Sequence, residues 1–541
     1  MADPSEPTAL EEQSNAPKKN TNIVTMKENQ LALENMPIEV ISHMLSFLPN
    51  KASIRAAMQS CSKLYNAYKN RQTYIASCIL FNTMNESVYR EVITTFNLKR
   101  KMWKGAKAGV KTVYRVYSSE ERDVIHSQYL TFDQVKEMWR LHKSIEYFAH
   151  RIPTSLMRKH PVVKTKGAFS ITPSVRDRFQ RALYRLDAFV KLLQTMIATF
   201  CYDNDGENRE LVDSELKEAH WTHCLKELEE HRIIKAFHCQ YSAVEIEQMS
   251  SICGLLITEI APTFNTFLEH DIVLGAQLPY YISHPMCPGS MSLIAQGIPF
   301  LYDFMTAGSR SLRSKIMDAI KPPIDWNPRL PTRPPFPGTD EQLSCVIHDK
   351  EGEPGKWANM AVPDFVIRTP FIKDPDRGPE SAWAALSHYS LFLSPQDPSA
   401  VDEFVPPQAL TWGYVFWDLE MLEKAGFNGI KEEDRLANEF ELPEDHPINL
   451  PWQPLAKYQT TEASNSLLLS CQYKNTMMDH GATGYFDFEK FEADEETRAT
   501  MESDVDVPTQ ILLGAIGGVP TPEEMAELLL EMNLIGPNAQ Q

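Results

Sequence analysis

Residues 175–200 read VRDRFQRALYRLDAFVKLLQTMIATF and carry the clearest periodic pattern in the chain. Apolar side chains recur there at steps of three and four residues, at Val175, Phe179, Leu183, Leu186, Val190, Leu193 and Ile197. This spacing puts them on one stripe of an α-helix, which is typical of a helix that packs against a core. The stretch therefore predicts a long core helix and a mainly α fold.

Helical patterns continue on both sides of this stretch. They include SELKEAHWTHCLKELEEHRIIKAF, VEIEQMSSICGLLITEI and GIPFLYDFMTAGSRSLRSKIMDAI, so we expect a large helical domain over residues 81–320. The Pro-rich stretch KPPIDWNPRLPTRPPFPGTDE follows. Its prolines remove backbone donors and favour extended neighbours, which predicts an irregular connection over residues 321–345. PxxP spacing also suits a polyproline ligand, although such segments more often act as spacers.

Residues 346–541 predict a mixed, mostly helical C-terminal region. We expect helices in ESAWAALSHYSLFL and in WDLEMLEKAGF. The terminal stretch TPEEMAELLLEMNLIGP has a capping box formed by Thr521 and Glu524, and Gly536 with Pro537 ends it. Its apolar stripe favours a docked core helix over a free partner-binding one.

Composition and charge narrow the classes of function. The chain has 541 residues, 43% of them hydrophobic, which is enough for more than one domain, and a formal net charge of −19. This charge argues against nucleic-acid binding, although the basic run NLKRKMWKGAKAGVKTVYR (97–115) suits a solvated face, a nuclear-import signal or an acidic partner.

No stretch approaches the roughly 18 apolar residues of a membrane span. We therefore expect no membrane association and an intracellular location, cytoplasmic or nuclear, with a disordered tail over residues 1–30.

Motifs that carry chemistry are weak. The nine cysteines form no CxxC pair, which argues against a zinc ribbon or a disulfide framework. His220, His223 and Cys224 are the best metal candidates, but an ordinary exposed helix is the favoured interpretation. GEPGKW has Trp357 where a phosphate loop needs Ser or Thr, and CPGSMSLIAQG lacks the GxSxG pattern. We therefore predict no metal, no cofactor and no catalytic residue; an enzyme whose groups converge from distant positions stays as a third hypothesis.

A separate small helical unit is predicted over residues 31–80. In LENMPIEVISHMLSFLP (33–49), Pro37 suits a first helical turn and Pro49 ends the helix. Its apolar side chains recur at helical spacing, at Val40, Ile41, Met44, Leu45 and Leu48, with Phe47 beside them. The next helix, SIRAAMQSCSKLYNAY, is expected to break near residues 60–62.

So small a unit cannot hide all of this apolar surface by itself, since small domains bury only about 60% of their chain surface. The surplus either binds a partner or packs on the rest of this chain. The residues alone leave both possibilities open.

The order of these residues resembles an F-box, which begins with a Leu-Pro-x-Glu signature. Here the signature reads Met36, Pro37, x, Glu39, with methionine where leucine is commonest, and Cys61, Ser62 and Lys63 match the later helix. RALYR (181–185) and WGYVFWD (412–418) also resemble segments of long F-box proteins of filamentous fungi.

The resemblance implies a three-helix F-box that binds the Skp adaptor of a cullin-RING ubiquitin ligase. It implies that the adaptor-facing groups include Leu33, Met36, Pro37, Ile41, Leu45, Leu48, Ile54 and Met58. The remaining helical body would then bind an unknown protein target, without catalytic residues of its own. The alternative is a non-catalytic scaffold whose F-box-like helices pack internally.

Overall fold

The computed structural model describes residues 33, 35–100, 113, 116, 130–159, 171–202, 237, 240–277, 293–318, 374–382, 413–424, 461–497 and 499. Of this described part 82% is helical and almost none is in strands, so the predicted mainly α fold is confirmed. The described residues form two compact units. Unit 1 comprises those up to Met84 together with residues 130–135, and unit 2 comprises the others.

Over residues 38–82 the structure describes four helices in unit 1, where the resemblance implied three. They are α1 (Ile38–Ser46), α2 (Lys51–Ser60), α3 (Ser62–Asn70) and α4 (Gln72–Asn82). Helix α1 packs on α3 and α4, and α2 packs on α3. The core of the unit consists of the buried side chains of Ile41, Leu45, Ile54, Ala67, Ile75, Ile79 and Leu80.

Local sequence explains where these helices begin and end. Asn50 caps α2, because its side-chain oxygen accepts a 2.9 Å hydrogen bond from the Ser53 amide. Cys61 is extended, with φ −159° and ψ 153°, so it separates α2 from α3 at the predicted break. At the far end of α4, the Asn82 amide donates to the carbonyls of Ser46 and Leu48 at 2.8 and 3.2 Å. These bonds tie the end of α4 to the end of α1.

Unit 2 is built around helix α7 (Pro173–Tyr202), which packs on α5 (Glu86–Arg100), α8 (Ala243–Glu269) and a 3₁₀ turn (Tyr414–Phe416). Helix α9 (Ile272–Gln277) packs on α13 (Thr461–Asp479). Further helices among the described residues include α6 (Phe132–Lys159, in this unit from residue 136), α10 (Ile298–Thr306), α11 (Arg310–Asp318), α12 (Leu419–Lys424) and α14 (Phe488–Ala493).

The predicted apolar stripe of α7 is confirmed where its side chains are described. Val175, Phe179, Leu183, Leu186 and Val190 are all buried; the side chains of Leu193 and Ile197 lie outside the described residues. The helix is also buried on its polar side, at Arg178, Arg185 and Asp187. Between residues 178 and 190 the helix is buried on almost all sides, so it is a central helix of the unit.

Helix α8 is apolar enough to resemble a membrane span. It is the one such helix among the described residues, and 72% of its most apolar 18-residue window is buried inside the protein. Burial against other helices of the same chain is the arrangement of a core helix.

Replacing Ser242 with alanine is expected to lower the free energy of unfolding by about 1 kcal/mol, because the residue caps α8. Its hydroxyl accepts from the Glu245 amide at 3.3 Å, and the Glu245 carboxylate accepts from the Ser242 amide at 2.9 Å. Urea unfolding measures the change, and Ser242→Thr serves as a control that keeps the cap. Equal stability of all three proteins would contradict the prediction.

Several predictions concern segments outside the described residues. These are the disordered tail (1–30), the metal candidates His220, His223 and Cys224, the Pro-rich connection (321–345), the terminal helix from Thr521, and most of the basic run (97–115). Of the predicted helices in the C-terminal region, the one beginning at Leu419 is confirmed.

Candidate functional site

Helix α1 presents three large apolar side chains on the outside of unit 1. Val40, Met44 and Phe47 are 45%, 50% and 69% exposed. Steps of four and three residues place them on one side of the helix, and we call this patch the α1 surface. The His43 ring meets Phe47 edge to face at 4.8 Å between centroids and lies 3.3 Å from the Tyr74 hydroxyl. These contacts hold Phe47 at the surface.

The eight predicted adaptor residues do not form one surface. Pro37 is exposed, and Leu33, Met36, Leu48 and Met58 are half-buried. Ile41, Leu45 and Ile54 are at most 5% exposed and lie in the core of unit 1.

The side chains of these last three residues thus contribute to the core of unit 1, and their assignment to the adaptor-binding set stays a prediction. The helical spacing that drew attention to Ile41 and Leu45 marks the side of α1 that faces α3 and α4. Val40, Met44 and Phe47 were visible in the sequence as apolar residues, but periodicity does not show which of two apolar sides is covered.

Unit 2 contains an open cleft of about 600 Å³ that is lined by α5, α6, α7, α10 and α11. This volume is within the roughly 300–1,000 Å³ of typical ligand sites. Its lining mixes apolar and charged side chains: Phe96, Glu137, Met138, Arg140, Leu141, Asp187, Lys191, Gln194, Gln296, Gly297, Pro299, Phe300, Asp303, Lys315 and Ile316.

Asp187 fixes the geometry at one end of this cleft. One of its carboxylate oxygens accepts a 3.1 Å hydrogen bond from the Ile298 amide at the start of α10, and the other pairs with Lys191. Gly297 precedes α10 with φ +88°, a conformation that favours glycine. The buried carboxylate thus caps α10 and sets its position against α7.

Two acid–base groups with strongly shifted pKa values in unit 2 lie outside the cleft lining. Burial lowers the pKa of His142 to about 4, so its ring is neutral near pH 7 and shares a 2.9 Å hydrogen bond with the Tyr184 hydroxyl. Burial also raises the pKa of Glu247 to about 7, although the Tyr414 hydroxyl at 3.2 Å opposes this shift. These groups bind one another inside the unit and do not face the cleft.

The segment RALYR (181–185) and residues 413–418 lie close together in unit 2. Arg178, three residues before RALYR, donates to the Phe416 carbonyl at 3.0 Å and to Asp418 at 2.7 Å. The Phe179 ring stacks on Phe416 with 4.1 Å between centroids. Within RALYR, Arg185 pairs with Glu91 and Glu245 at 2.8 and 2.7 Å. The segments therefore contribute to the core of unit 2.

In the described part of the chain, no group of three or more His, Cys, Asp or Glu side chains is placed to hold a metal ion.

No family model matches the chain, and no curated protein or solved structure matches it either. Fold and surface thus define a helical protein with two features open to a partner: an exposed apolar side of α1 in unit 1 and a cleft in unit 2.

Proposed function

We propose that the chain is a substrate-recruiting F-box subunit of an SCF-type ubiquitin ligase. Unit 1 binds the Skp adaptor, and through it the cullin-RING ligase, while unit 2 binds a protein target. The chain contributes no catalytic group in this role, which it performs inside the cell, in the cytoplasm or the nucleus. The observation that carries the proposal is the α1 surface, on a helix that begins with the Met-Pro-x-Glu signature.

Exposure of the α1 surface favours an intermolecular interface. Single exposed apolar residues are common on proteins, but several on one side of a helix are typical of a binding surface. Burial of a large apolar side chain contributes roughly 1.5–3 kcal/mol. Three half-exposed side chains therefore contribute several kcal/mol to association, which is comparable with the cost of lost translational and rotational freedom.

The scaffold hypothesis is the second candidate, and one observation favours it. Ile41, Leu45 and Ile54 are buried inside unit 1, so a large part of the apolar surface is covered by the unit's own helices. The two hypotheses make different predictions for the α1 surface. It binds the Skp adaptor if the chain is a ligase subunit, and it binds no adaptor if the chain is a scaffold.

Replacing Phe47 with aspartate is expected to weaken adaptor binding by about thirtyfold or more, as loss of an interface hot spot worth about 2 kcal/mol does. The carboxylate also has to be desolvated in the complex, which adds to the loss. The measurement is the Kd of the purified full chain for a Skp adaptor, with circular dichroism as a check of folding. Met44→Asp tests the same surface independently.

The matched control is Leu312→Asp, because Leu312 is an exposed apolar residue on a helix of unit 2, at 46% exposure. It is expected to leave the Kd unchanged. Leu45 is unsuitable as a test position, since an aspartate there would be buried in the core and unfold the unit. Absence of adaptor binding by the wild type at micromolar concentration, or equal binding by Phe47→Asp, would exclude the proposal.

A further inference from the structure

The floor of the cleft in unit 2 is apolar. Phe96, Met138 and Leu141 are buried beneath it, while Phe300 and Ile316 are half-buried at its sides. Such a floor suits one or two large apolar side chains of a ligand, since apolar lining with a few polar groups is the usual composition of a binding site.

Two of the cations that line the cleft form ion pairs within the described part of the chain. Arg140 pairs with Asp303 at 2.5 Å, Lys191 pairs with Asp187, and Glu137 also has an interaction partner. Lys315 is exposed and makes no hydrogen bond or ion pair within the described part of the chain. A ligand that complements the cleft therefore carries a negative group near its apolar one.

A polar group of the cleft suits a peptide backbone. The Gln194 amide nitrogen donates to the Ala295 carbonyl at 2.5 Å. Its side-chain oxygen is left as an acceptor, which a backbone N–H of a bound peptide can satisfy.

We propose that this cleft binds a short segment of a protein target in which a large apolar side chain stands next to aspartate or glutamate. The apolar side chain covers Phe96 and Met138, and the carboxylate pairs with Lys315. The choice of a peptide rests on the proposed function, in which unit 2 binds a protein. Because the chain has a formal net charge of −19, longer acidic segments are repelled, so recognition is confined to a single carboxylate beside the apolar group.

A random peptide library displayed on phage, selected on the full chain without adaptor, tests this inference. We expect the enriched peptides to share a large apolar residue beside Asp or Glu. A synthetic peptide of that sequence should bind Lys315→Glu about tenfold or more weakly than the wild type, because a charge-assisted hydrogen bond is lost and a like charge is introduced. Selection on Lys315→Glu should enrich Lys or Arg at the same place.

Two further variants sharpen the test. Lys490→Glu makes the same charge reversal on an exposed helical residue outside the cleft lining and should not change peptide affinity. Phe300→Ala should weaken the peptide without reversing its charge preference. Absence of a shared motif, or equal binding of the peptide to Lys315→Glu and wild type, would overturn the inference.

The two proposals fail separately. Phe47→Asp is expected to lose the adaptor and keep the peptide, and Lys315→Glu is expected to do the opposite. Peptide binding by a chain that binds no adaptor would exclude the ligase role and leave the cleft as a peptide site.

Discussion

Replacing Arg178 with alanine is expected to lower the free energy of unfolding by about 3–5 kcal/mol, the effect of removing one partner from a buried charge network. The guanidinium is fully buried and donates to both oxygens of Asp374 at 2.9 and 2.8 Å. It also donates to Asp418 at 2.7 Å and to the Phe416 carbonyl at 3.0 Å. Without the cation, two partly buried carboxylates and a carbonyl each lose a partner, and Arg181 is the cation that remains beside Asp374.

The pKa of Asp374 is consistent with a carboxylate that Arg178 stabilises. Burial by itself raises the pKa of this carboxyl, but the Arg178 guanidinium outweighs burial and holds the pKa below its usual value. The carboxylate is therefore ionised at neutral pH and requires the cation beside it.

Arg176→Ala provides the control for Arg178→Ala. Arg176 lies two residues away on α7, is 49% exposed and pairs with Glu146 at 2.6 Å, so its loss should lower stability by less than about 1 kcal/mol. Urea unfolding followed by tryptophan fluorescence suits the comparison, because Trp417 lies against Phe179 at 6.1 Å between ring centroids. Similar effects of the two substitutions would contradict the prediction.

Raising the pH from 7 to 10 is expected to stabilise the wild type relative to Lys474→Met, on the order of 2–3 kcal/mol. Lys474 has a fully buried side chain whose ammonium donates to the Leu268 carbonyl at 2.8 Å and lies 4.7 Å from the Phe486 ring centroid. Burial lowers its pKa to about 8, against the opposing influence of Cys471, Glu269 and Asp271.

The sign of this effect follows from proton uptake. Between about pH 8 and the usual lysine pKa of about 10.4, the unfolded chain holds the proton and the folded chain has released it. The unfolded state then binds more protons, so stability rises with pH across this window. Below about pH 8 both states are protonated, and the full cost of the buried charge is present.

The measurement is the free energy of unfolding of both proteins at several pH values. Titrating groups that do not interact with Lys474 contribute equally to both and cancel in the difference, whereas the thiol of Cys471 is coupled to the ammonium. Lys490→Met, at an exposed lysine, should show no such dependence relative to the wild type. A difference between wild type and Lys474→Met that is constant from pH 7 to 10 would exclude the buried ammonium as its origin.

Much of the helical structure could be predicted from the sequence. The stripe of α7, the start of α1 after Pro37 and the break between α2 and α3 at Cys61 depend on residues close together in the chain. Local spacing, capping groups and proline act within one or two helical turns, so they are readable without a structure.

The burial of the arginines on α7 could not be predicted in this way. The partners of Arg178 are Asp374 and Asp418, which lie 196 and 240 residues further along the chain. In the sequence these arginines have the spacing of a solvated polar side, and only the packing of distant segments makes them interior. The close packing at Gly275 could not be predicted either. A side chain added there would lie 2.8 Å from the Lys474 ammonium, and no residue near Gly275 in the sequence indicates that contact.

For the candidate site, the sequence by itself determined that α1 is an apolar helix that begins after Pro37. Only the tertiary structure decided that Ile41 and Leu45 are covered and that Val40, Met44 and Phe47 are exposed. The tertiary structure also forms the cleft, whose lining comes from five helices that are distributed over residues 96–316. The physical reason is that periodicity reports the sides of one helix, whereas exposure depends on which other helices pack against it.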